Sequence, residues 1–82
     1  MPRYFFHVHG GVASPDLKGT QLSDLQAVRR EAVRLAGTQL AEDSGGFWDH
    51  GEWKLRVTDG NQLTLFELLF VSVEAPAMSS TA

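Results

Sequence analysis

A chain of 82 residues without cysteine is long enough for one small domain, and it cannot be stapled by disulfides or thiolate-bound metal. Hydrophobic residues at 43% and charged residues at 21% exclude a disordered chain and fit a soluble globular one. The formal net charge of -3, with 7 Lys and Arg against 10 Asp and Glu, argues against a general nucleic-acid binder, whose affinity rests on surplus cations.

The opening Met1-Pro2-Arg3-Tyr4 leads into alternation, with Tyr4, Phe6 and Val8 on one side and Arg3, Phe5, His7 and His9 on the other, which predicts a strand. It lacks the apolar core and cleavage site of a secretory signal. The expectation is therefore a cytoplasmic protein. Gly10-Gly11 breaks the strand, and Ser14-Pro15-Asp16 through Gly19 reads as a polar loop. A short extended piece at Thr20–Leu22 is placed to pair with the first strand.

Ser23-Asp24-Leu25-Gln26 fits a capping box that starts a helix at Ser23 or Asp24. Leu25, Val28, Ala32, Leu35, Ala36 and Leu40 form its apolar stripe, opposite Arg30 and Arg34, and Ser44-Gly45-Gly46 is expected to end it. Phe47 and Trp48 are expected to fold back over one end of the core. Trp53, Leu55 and Val57 alternate against Lys54, Arg56 and Thr58, Asp59-Gly60-Asn61 supplies a turn, and Leu63–Val73 is strand-forming, so a β-hairpin follows. Both faces of its second strand are apolar, which predicts a central position in the sheet. The longest apolar run, Leu68–Val71, is far below the ~20 residues that span a bilayer.

The reading is a two-layer α+β domain, β-α-β-β, in which one amphipathic helix packs on a three-stranded, mostly antiparallel sheet. Residues 1–74 make the single domain and 75–82 a flexible tail.

The opening Met1-Pro2-Arg3-Tyr4-Phe5-Phe6-His7-Val8-His9, the stretch Arg29-Arg30-Glu31-Ala32 with Leu35-Ala36, and Phe47-Trp48 followed by Gly51-Glu52-Trp53 resemble a family of short alphaproteobacterial domains of unknown function. The resemblance covers roughly residues 1–74 and implies a stand-alone small bacterial protein. It carries no activity, ligand or catalytic residue with it.

No nucleophile with an orienting partner, phosphate-binding glycine loop or dinucleotide fingerprint is present, so no enzymatic activity and no cofactor are expected. Asp49-His50-Gly51-Glu52 could serve acid-base chemistry only within a cleft, and reads more simply as a polar turn. His7 and His9 share a strand face as two metal ligands would, with Asp49, His50 or Glu52 as a third, yet the spacing is common and solvated histidines are the simpler explanation. Arg29, Arg30 and Arg34 read as a solvated basic flank.

The sheet face away from the helix is the informative feature. It would carry Arg3, Phe5, His7, His9, Lys54, Arg56, Leu69 and Val71, with Leu65 and Glu67, a mixture too apolar for a merely wetted surface. A non-catalytic protein-interaction or self-associating module, a homodimer or a binder of a protein partner, is the favoured function. The alternatives are a single-stranded nucleic-acid platform, with Phe5 stacking a base while Arg3, Lys54 and Arg56 hold phosphates, or a histidine metal site. A single suitable ring on the face weighs against the nucleic-acid reading.

Overall fold

Alternation along Arg3–Gly10 builds strand β1, and along Glu52–Thr58 strand β4. In the computed structural model, which describes residues 2–10 and 12–79, these strands are antiparallel neighbours. Phe6 lies opposite Val57 and Val8 opposite Leu55, so the apolar side of each strand faces the same layer. Beyond β4, strand β5 (Thr64–Val71) pairs antiparallel, with Trp53 opposite Phe70 and Leu55 opposite Leu68. The far side of β1 takes two short strands, β2 (Val12–Ser14) and β3 (Thr20–Gln21), both antiparallel.

The class is α+β as expected, but the sheet is 5-stranded instead of three-stranded, in the order β2-β1-β4-β5 with β3 also on β1. The loop expected between residues 10 and 19 contains β2, and the extended piece after it is β3. The last strand is not central. β4 lies between two long partners, paired through Lys54–Thr58 with Phe5–His9 of β1 and through Glu52–Thr58 with β5, and β5 lies at the edge with its apolar residues only partly covered.

Helix α1 (Leu25–Glu42) starts one residue into the expected cap: Asp24 is the N-cap, and its side chain accepts from the Ala27 N–H at 2.8 Å. Ala27 occupies the position where a reciprocal capping box needs Glu or Gln. Val28, Ala32 and Ala36 face the sheet and join Tyr4, Phe6, Trp53, Leu55 and Val57 in the core. The two alanines let the helix approach the sheet closely, while Leu25, at one end of the expected stripe, stays half exposed.

Ser44-Gly45-Gly46 does not end the helical structure but opens a second helix, α2 (Ser44–His50). Asp43 closes α1 through its N–H on Gln39 O and caps α2 by accepting from the Gly46 N–H at 3.1 Å. Gly51 ends α2 at φ 72°, where its N–H donates to Phe47 O at 2.7 Å, a left-handed position suited to glycine. Phe47 packs on the core as expected, whereas Trp48 is 66% exposed. Gly10 also serves by being small, since a Cβ there would stand 2.6 Å from Trp53 Cδ1. After β5, a helical turn, α3, spans Pro76–Ser79; residues 80–82 of the expected tail lie outside the described residues.

Candidate functional site

Strand register defines the sheet face opposite α1. Its cross-strand rows are Phe5 and Thr58; His7, Arg56 and Glu67; His9, Lys54 and Leu69; and Glu52 with Val71. Seven of the eight singled-out residues, Phe5, His7, His9, Lys54, Arg56, Leu69 and Val71, therefore share these rows. Arg3 continues β1 beyond them but is tied to the neighbouring loop, its Nη1 donating to Lys18 O at 2.8 Å. Leu65 departs from the alternation: the register shifts between Val57 and Thr58, and Leu65 lines a groove with Phe66 and Leu68 on the α1 side. A β-bulge changes which face a residue takes, and sequence alternation cannot show it.

One end of the face is a polar network built on Asp16. This residue occupies the loop between β2 and β3, where β1 would otherwise have no edge partner. Its Oδ2 accepts from the Phe6 N–H at 3.1 Å, and its Oδ1 accepts from Lys18 N–H at 3.1 Å and Gly19 N–H at 3.0 Å. Burial alone would raise the Asp16 carboxyl, but donation from Gly19, Phe6 and Lys18 outweighs it, and the pKa falls below the ordinary value.

The Asp16 N–H donates to His7 Nδ1 at 3.1 Å, and His7 Nε2 is 3.1 Å from Thr58 Oγ1. A backbone N–H can only donate, so Nδ1 is unprotonated and neutral His7 carries its hydrogen on Nε2, donating to Thr58. Desolvation, with the Arg56 charge next in size, holds the His7 pKa below its ordinary value; Asp16 opposes this and His9 adds to it. Both nitrogens are thus committed, unlike those of a ready metal ligand. Among the described residues no group of three or more histidine and acidic side chains converges as a metal site would require. Asp49, His50 and Glu52 are exposed at the end of α2 and the start of β4 and line neither the groove beside α1 nor the cavities along β1.

Two residues of this site carry little signal in the sequence. Asp16 was legible only as a turn former, and its service to β1 depends on the chain folding back. Gln62 carries the positive φ, 66°, of the β4–β5 turn, where Gly60 or Asn61 was the natural choice. The turn is held by Asp59, whose Oδ1 accepts from Asn61 N–H at 2.8 Å and Leu63 N–H at 3.0 Å.

The other end of the face is β5. Leu69 is 58% exposed, Val71 52% and Phe70, on the helix side, 42%. Phe70 meets Trp53 edge-on, with ring centroids 5.9 Å apart, but only one side of it is covered. Between β5 and α1 lies an open groove of about 390 Å³ lined by Leu25, Val33, Leu65, Phe66 and Leu68, with Arg29 and Glu67 at its polar parts. Arg34, on the helix's basic flank, is taken up by Glu31 at 2.6 Å, and Lys54 by Glu67 at 3.6 Å.

These features describe a small two-layer α+β domain with one sealed sheet edge, one open edge and a polar pocket between them. The chain belongs to the family described as a domain of unknown function, DUF6894, whose model matches residues 3–71. This agrees with the resemblance to a small domain family of unknown function. No curated protein and no solved structure matches the chain. No helix among the described residues is long and apolar enough to cross a membrane.

Proposed function

We propose that the protein is a non-catalytic self-associating module whose interface is the β5 edge with the adjoining groove. The observation that carries this reading is that β5, eight residues long, ends the sheet and is apolar on both faces. A free edge presents unpaired backbone donors and acceptors, and single-chain folds commonly blunt such edges with charge, proline or a covering loop. Here the strand's one charged residue, Glu67, is engaged by Lys54 of the same sheet.

A second copy is the favoured occupant because the edge is self-complementary. In antiparallel pairing about a two-fold axis, directly opposed residues share a sheet face. An axis through Leu68 sets Glu67 opposite Leu69 of the partner subunit, avoiding a like-charge pair, and sets Phe66 opposite Phe70 of the partner subunit. Both helices then lie on one side of a continuous sheet, so Leu25 and Val33 turn toward the junction. Cross-strand aromatic pairs of this kind stabilise sheets.

Sedimentation velocity across the micromolar range tests the proposal. The wild-type chain is expected to run as a dimer and the Leu69→Asp variant as a monomer. Leu69 is exposed in the single chain, so the variant's fold stability should change by no more than about 0.5 kcal/mol. A wild-type monomer at every concentration, or a variant that remains dimeric, would sink the idea.

A further inference from the structure

On the face opposite α1, away from the exposed part of β5, is a cavity of about 520 Å³ whose walls include Phe5, His7, Leu17, Arg56, Thr58 and Gln62. Its volume is in the range of small-molecule sites. The polar groups around it differ in how far they are committed. His7 uses both ring nitrogens, and Asp16, also on the wall, has three backbone N–H groups on its two oxygens.

Arg56 is left over. Its Nε is buried and has no hydrogen-bond partner among the described residues. No ion pair among those residues includes it, because Glu67, its neighbour across β4 and β5, pairs with Lys54. A cationic side chain on a cavity wall without an anionic partner is a natural anchor for a ligand, and because Nε is shielded from solvent, a ligand would meet the guanidinium through its Nη groups. Gln62 stands on the same wall, held at φ 66° in the hairpin turn, and backbone strain of that kind gathers at ligand sites. The remaining wall is apolar and flat: the Phe5 and His7 rings stack within 12° of parallel, with centroids 6.4 Å apart, and Leu17 stands exposed at the rim.

We propose that this cavity binds a small aromatic carboxylate, with the acid group on Arg56 and Gln62 and the ring against Phe5 and Leu17. A guanidinium fork matches a carboxylate in two parallel hydrogen bonds, which a neutral amide or an alcohol cannot reproduce. The Asp16 charge does not oppose the ligand strongly, since its oxygens are turned to three backbone donors.

The test is an NMR titration of the ¹⁵N-labelled protein with benzoate, benzamide and acetate, which separate ring from charge. Benzoate is expected to give saturable shifts at the Arg56 Nε–H and the Gln62 side-chain amide. Benzamide and acetate should each bind at least roughly tenfold more weakly, and Arg56→Gln should abolish the benzoate response while the rest of the spectrum stays dispersed. If that variant fails to fold, the three probes on the wild-type chain still decide. Equal binding of benzamide and benzoate, no saturation by benzoate, or shifts confined to β5 would overturn the proposal.

Discussion

The two edges of the sheet are finished in opposite ways. Beyond β1 the chain lays down β2, then Asp16, then β3, so that the strand's outer edge is paired near both ends and capped by a carboxylate between them. Beyond β5 there is nothing among the described residues. The segment from Ser14 to Gln21 is largely exposed, and covering an edge explains what it does. The apolar residues are on the other strand, the one left bare. An edge closed by its own chain needs no hydrophobic side chains, whereas an edge that recruits a partner does.

Breaking the sealed edge should have the largest effect. Asp16→Ala leaves the Phe6, Lys18 and Gly19 N–H groups without their acceptor, and a loss of about 1–3 kcal/mol is expected from urea denaturation. Amide exchange at Phe6 should rise with it. Unchanged stability would mean that the loop does not serve β1 in solution. The matching change at the open edge, Leu69→Asp, is expected to leave the fold of the single chain nearly intact and to remove only the mass and the stability that come from dimerisation.

A smaller effect of opposite sign is expected where β5 begins. Gln62→Gly removes the left-handed strain of the turn at φ 66°, and a gain of about 0.5–1 kcal/mol in the monomer is expected. A loss would show that the Gln62 side chain contributes more than its backbone costs.

The finest difference lies in pH. The folded-state pKa of His7 is lowered from 6.5, so the unfolded chain takes up the proton first as pH falls. Stability at the sealed edge is then full above 6.5, falls below it and levels off once folded His7 is also protonated. Asp16, lowered from 3.8, gives a second loss of the same sign, beginning at its ordinary value and continuing through the lower folded pKa. Urea midpoints for wild type and His7→Phe should diverge through the upper window and run parallel below it. A wild-type midpoint flat across the upper window would count against the desolvation and the Arg56 charge that favour neutral His7. Arg56, Asp16 and His9 are the charged or titratable groups acting on His7, and the open edge contributes none of them.

Local periodicity is enough to place β1, β4, β5 and the long helix, with the face that each strand turns to the core. Alternation and the helical stripe are written residue by residue, and the hairpin turn between β4 and β5 lies between them in plain view. The same periodicity determines as well which of the singled-out side chains would share the face opposite the helix, because register follows from alternation wherever a strand stays regular.

Which strand is central follows from packing and not from periodicity. An apolar pattern on both sides of β5 is compatible with burial under two layers or with exposure at an edge awaiting a partner. What separates the two is where α1 lies and how much of β4 each neighbour occupies. The β2 and β3 pairings, Asp16 beneath β1, the bulge that turns Leu65 to the helix side and the unpartnered Arg56 share the same origin. Each is settled by which residues meet between strands, from the tight β1–β2 turn with Gly10 opposite Val12 to the longer return that sets Arg3 opposite Gln21, and residue-by-residue alternation does not record that meeting.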